Sequence, residues 1–134
     1  MDAFAFRLEP GADLRKSINA GCRERDVAAG VILTCVGSLR TAVLRFADQR
    51  HSDRVEGPFE ILALSGTLSG DGGCHLHIAL GDAHGATVGG HLMDGSIVHT
   101  TAEVVVCALS GLAFSREQDP QTGYRELKIA QRKP

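Results

Sequence analysis

The chain has 134 residues, 43% hydrophobic and 22% charged, which suits one globular domain able to bury its own core. Its 14 basic residues face 16 acidic ones, so a strongly basic, phosphate-seeking protein is excluded, as are disordered and collagen-like chains. Sixteen glycines, four per cent aromatics and no tryptophan predict tight turns around a core of small aliphatic side chains.

An alternating run, Phe4, Phe6 and Leu8, ends at Pro10-Gly11. Asp13 is placed to cap a helix whose apolar face repeats at Leu14, Ile18 and Cys22 and which fades near Arg25-Asp26. Gly21 inside it costs about 1 kcal/mol relative to alanine. Ala28 to Val36 is apolar at nearly every position and predicts a strand covered on both faces. Gly37-Ser38 predicts a turn into a second strand, Leu39 to Phe46, and the polar residues 47–58 predict a loop. Strands are predicted at Phe59–Leu68 and Cys74–Gly81, then Thr87–Met93, Ile97–Leu109, Leu112–Ser115 and Tyr124–Ala130. The fold class is α+β, a mainly antiparallel sheet with one prominent helix, in a single domain spanning 1–134.

No segment reaches the eighteen or so apolar residues of a membrane span, and the N-terminus lacks the layout of a secretory signal. Cys22, Cys35, Cys74 and Cys107 form no Cys-x-x-Cys pair. Free thiols in a reducing cytoplasm are therefore expected, with Cys35 and Cys107 as small buried hydrophobes. The glycines at 70–73 and 89–90 fit neither a P-loop nor a dinucleotide fingerprint. Basic residues are scattered apart from the tail Gln131-Arg132-Lys133-Pro134, which reads as solvated.

Chemistry concentrates at His75, His77 and His91. His75 and His77 share one strand face, while Leu76, Ile78 and Leu80 share the other. A three-residue loop Ala83-His84-Gly85 pairs Asp82 with Ala86 and sets His77 opposite His91, so that three imidazoles project together. A two-residue loop, or a bulge at Gly89-Gly90, would turn His91 elsewhere. In the first register the three suit a divalent transition ion, zinc above others, with a coordination position open. Alone, His-x-His is also what a pair of hydrogen-bonded surface or interface histidines looks like. His51 and His84 read as solvated, and His99 as an interface or core residue. Glu103 interrupts an apolar strand and is a candidate partner for a histidine or a general base. An ion pair with an arginine such as Arg40 or Arg45, or a solvated face, is the simpler account of it.

The run Gly57-Pro58-Phe59-Glu60-Ile61-Leu62 with Ser65-Gly66-Thr67 resembles the Phe-Glu-Ile-Leu…Ser-Gly-Thr segment of the "plants and prokaryotes conserved" domain. His75-Leu76-His77-Ile78, Gly89-Gly90-His91-Leu92 and Thr101-Ala102-Glu103-Val104-Val105 are similar to the single-domain prokaryotic branch, as are Gly30–Leu33 and Gly37–Arg40. The resemblance implies a homotrimer, a metal or small-ligand site at the three histidines, and a regulatory, DNA-associated role. In plant members the domain accompanies AT-hooks; this chain has no Arg-Gly-Arg-Pro, and Gly57-Pro58-Phe59 stands where the plant pattern is Gly-Arg-Phe. Two other functions stay open at this point: a metal-dependent enzyme with Glu103 as base, and a transcriptional regulator that binds DNA directly.

Overall fold

The computed structural model describes residues 2–132, so Lys133 and Pro134 of the basic tail lie outside the described residues. The elements run β1 (Asp2–Leu8), α1 (Leu14–Arg23), β2 (Ala29–Arg45), β3 (Asp53–Ser69), β4 (Cys74–Gly81), β5 (Thr87–Leu92), β6 (Ile97–Ala108), β7 (Leu112–Gln118) and β8 (Arg125–Gln131). Six of them form an antiparallel sheet in the order β1-β6-β2-β3-β4-β5, and β7 and β8 form a separate hairpin. The α+β class and the one prominent helix are as the sequence predicts.

One closure shapes the sheet. β5 pairs with β4 on one side and with the end of β2 on the other, through Leu44↔Leu92 and Arg45↔His91. Strands β2 to β5 thus roll into a ring, with Leu44, Ile61, Leu64, Leu76, Ile78, Leu80 and Leu92 inside. Ser96, fully buried at the β5–β6 turn, fastens this end: its hydroxyl accepts from the Val43 N–H at 3.0 Å and donates to the Met93 carbonyl at 3.0 Å.

Helix α1 packs against this core through Leu14 and Ile18, both 0% exposed, each worth about 1.5–3 kcal/mol of burial. Asp13 caps it, its carboxylate accepting from Lys16 N–H at 3.0 Å and from Gly95 N–H at 2.7 Å. The cap therefore also ties the helix to the β5–β6 turn. Asp13→Ala is expected to cost about 1–2 kcal/mol in urea denaturation, with Asp13→Asn recovering part of it. The helix ends at Arg23, and the turn that follows takes Asp26 to φ 50°. Gly21 earns its place inside the helix, because a β-carbon there would lie 3.3 Å from the Phe6 ring of β1.

Three local expectations are corrected. Gly37-Ser38 is no turn: β2 runs unbroken from Ala29 to Arg45. Gly37 sits at φ 149°, beside the Thr101 backbone, and the ladder to β6 shifts register there. Only a residue without a β-carbon allows that approach, so this glycine marks a bulge. Residues 47–58 are not all loop, since β3 begins at Asp53; Arg54 and Glu56 lie on a solvent face while Val55 packs toward the core. Finally, β2 is covered on one face only, with Leu33 and Val36 more than half exposed.

Candidate metal centre

Strand β4 alternates as expected. Leu76, Ile78 and Leu80 are 2%, 3% and 0% exposed, while His75 and His77 face out. The β4–β5 connection is the three-residue loop: Asp82 N–H donates to the Ala86 carbonyl at 2.8 Å, and Gly85 takes φ 82°. The Asp82 carboxylate braces it, accepting from the backbone N–H groups of His84 and Ala86 at 2.8 and 2.9 Å. From there the ladder runs without a shift through Ala79↔Gly89 and Ile78↔Gly90 to His77↔His91. Gly89 and Gly90 serve close strand approach, since a β-carbon on either would come within 2.9 Å of a neighbouring carbonyl.

The three imidazoles consequently converge. His75 and His91 stack with centroids 5.0 Å apart and planes 5° from parallel. His77 stands edge-on between them, 4.8 Å from His75 and 4.5 Å from His91. One ring nitrogen from each lies within 4.8 Å of the others, and the Nε2 atoms of His75 and His77 are 3.1 Å apart. Zinc–nitrogen bonds of about 2.0–2.1 Å in a tetrahedron set ligand nitrogens roughly 3.4 Å apart. Small ring rotations bring this set to that spacing, so the donors fit a divalent transition ion.

Electrostatics favour lone pairs over protons. Burial, then the Arg45 guanidinium and the neighbouring imidazoles, push His91 down to about 4 from the ordinary 6.5. His75 is also lowered, first by burial, then by His77 and Arg116. The unfolded chain thus takes up a proton at residue 91 near pH 6.5 that the folded chain refuses until about pH 4. Stability from neutral His91 is complete above 6.5 and is lost as pH falls through this window. The urea midpoint of the metal-free protein is expected to drop between pH 6.5 and 4, with His91→Gln flattening the drop; equal slopes in both proteins would contradict this.

The other sequence candidates lie elsewhere. Glu103 is exposed on β6, opposite Arg7 of β1 and Val36 of β2, outside the histidine group. Among the described residues neither Arg40 nor Arg45 pairs with it, and solvation accounts for it. His51, in the β2–β3 loop, lies 3.7 Å from an Asp53 carboxylate oxygen, and His84 is exposed at the hairpin tip. His99 is exposed on β6 and takes no part in the core. Cys22 and Cys35 are buried thiols, pushed up by burial to about 11 and 12.

Two residues of the site were not anticipated. Arg45 faces His91 across the β2–β5 ladder. Arg116 reaches from β7 to donate to Thr67 Oγ1 at 2.7 Å, and Thr67 is the β3 partner of His75. Neither position carries a sequence signal, because both depend on the ring closure and on where the hairpin docks.

Known proteins share this architecture. The chain is 47% identical over 126 residues to the bifunctional protein GlmU of Synechococcus sp. (strain JA-3-3Ab), matching 94% of this chain and 20% of that protein. It spans about one fifth of the length of the curated relatives it matches. A hypothetical protein from Salmonella cholerae-suis superposes with a TM-score of 0.94 at 39% identity, covering 98% of this chain and 94% of that one. A protein of Archaeoglobus fulgidus described as metal-containing superposes with a TM-score of 0.79 at 34% identity, covering 94% and 92% of the two chains. With residues 1–110 matching the Plants and Prokaryotes Conserved (PCC) domain, the chain belongs to that family.

Proposed function

We propose that this PCC-domain protein binds one divalent transition ion, zinc by preference, through His75, His77 and His91, and works as a cytoplasmic homotrimeric ligand-binding module with a regulatory role. The convergence of the three ring nitrogens carries the reading. Three imidazoles hold the ion and leave a coordination position for a ligand, which a structural site with four protein donors would lack. The description of the Archaeoglobus relative as metal-containing supports it.

Support for the trimer comes from the outer sheet face. Leu33, Val36 and Leu62 are 56%, 53% and 57% exposed, and Gly37↔Ile61 pairing brings Val36 and Leu62 side by side. Aliphatic side chains on one face of two central strands suit a symmetric contact with copies of the same chain. Light scattering is expected to give about three times the 14.2 kDa chain mass. The double substitution Val36→Asp, Leu62→Asp is expected to yield monomer; a monomeric parent would remove the trimer from this reading.

Zinc titration of chelator-stripped protein tests the metal. Saturation at one ion per chain is expected, and heat no greater than buffer would overturn it. Direct DNA binding makes a different forecast, duplex affinity that falls steeply with salt. The net charge of -2 supports the ligand-binding reading over that one.

A further inference from the structure

Beside the histidines lies a cavity of about 580 Å³, bounded by β4, β5, the end of β2 and the β7–β8 hairpin. Its volume falls in the range of small-metabolite sites, about 300–1,000 Å³. Four arginines line it, Arg15, Arg45, Arg116 and Arg125, against two carboxylates, Asp48 and Glu126. Two of the four are engaged: Arg15 binds Asp94 at 2.8 Å, and Arg125 lies 3.9 Å from Asp71. Among the described residues no carboxylate stands within 4.0 Å of either the Arg45 or the Arg116 guanidinium; Asp71 accepts from the backbone N–H of Arg116 at 2.9 Å.

These two guanidiniums flank the histidine cluster. Arg45 is the cross-strand partner of His91, and Arg116 is anchored on Thr67, the cross-strand partner of His75. The Arg116 guanidinium is held in place through one Nη on the Thr67 hydroxyl at 2.7 Å. Arg45 spends one N–H on the Gln49 carbonyl at 3.3 Å. Two guanidiniums without a carboxylate partner at the rim of a metal centre disfavour a cationic organic ligand and gain nothing from a neutral one. They are complementary to an oxyanion, which guanidinium donors bind in a planar, two-pronged fashion.

We infer that the cavity is the ligand site of the metal centre, taking a small organic anion whose carboxylate or phosphate group lies between Arg45 and Arg116 and whose nearer oxygen faces the three histidines. The inference rests on the metal-binding reading and adds the class of ligand. Tyr124, on the hairpin, supplies an aromatic wall for the rest of the molecule. Arg116 and Tyr124 both follow the segment 1–110 that matches the family, so the hairpin sets which anion is accepted.

The test is calorimetry on the zinc-loaded protein with three probes: pyruvate, inorganic phosphate and uncharged acetone. Saturable binding of pyruvate or of phosphate, with none of acetone, is expected, and the preferred anion names the headgroup. Arg45→Gln and Arg116→Gln are each expected to weaken it about ten-fold or more at unchanged zinc stoichiometry. Arg116→Lys should recover only part, because the charge returns without the fork. The two glutamine variants sit on different elements, so misfolding of the hairpin in one leaves the other decisive. Normal zinc binding without anion binding, or glutamine variants that bind like the parent, would overturn this inference and leave the metal reading standing. Absence of zinc binding would overturn both.

Discussion

Ile78→Asp is expected to leave no folded protein. Ile78 is 3% exposed in β4, paired with Leu64 on one side and Gly90 on the other, inside the ring formed by β2 to β5. Truncating a buried isoleucine costs about 2–5 kcal/mol. An unpaired carboxylate in the same place adds several more, because none of the core side chains around it donates a hydrogen bond. Whole-domain stability is about 5–15 kcal/mol, so one substitution consumes most of it. The chain should appear in the insoluble fraction, or lack a cooperative melt by circular dichroism. Thr87→Asp, on the exposed side of β5, is the matched control and should stay within about 0.5 kcal/mol of the parent. A soluble Ile78→Asp protein with a normal melt would mean that the two faces of β4 are reversed, and the histidine site would fall with them.

His77→Ala is expected to abolish metal binding while sparing the fold. Its ring stands between the other two and contacts both, so the remaining pair, His75 and His91, keeps only two donors. Outer partners of metal ligands already matter by about 10–100-fold, and loss of a ligand itself should exceed about 100-fold. The imidazole lies on the exposed face, opposite Leu76 and Ile78, and its removal opens no cavity in the core. Stability of the metal-free variant should therefore match the metal-free parent within about 0.5 kcal/mol. Zinc titration of both proteins beside their urea curves separates the effects: lost affinity with an unchanged midpoint supports the assignment. Retained affinity would remove His77 from the centre.

Much of this site was legible because β-strand geometry is strict. Period-two alternation placed His75 and His77 opposite Leu76 and Ile78, and loop length alone decided His91. Gly85 in the left-handed region and the Asp82 carboxylate select the three-residue loop, and with it the His77↔His91 register. Closure of the sheet was not legible, since β5 meeting the end of β2 is a pairing between segments some fifty residues apart with no local mark. Arg45 and Arg116 acquire their meaning only through that closure and the docking of the hairpin, held by Phe114 N–H donating to the Ala28 carbonyl at 2.9 Å. Gly37 shows the reverse failure, a strong turn signal that serves a bulge inside a long strand. The unbroken apolar run at 28–36 suggested cover on both faces; within one chain only one is covered, and Leu33 and Val36 remain for a neighbouring subunit in the trimer proposed above.

Elemental analysis of the untagged protein, purified without chelator, tests the central claim most directly. One equivalent of zinc, or of another divalent transition metal, per chain is the expected result, with the ion absent from His77→Ala purified in parallel. No metal in the parent protein, even after reconstitution with zinc, would contradict the account and return His75, His77 and His91 to a cluster of surface imidazoles.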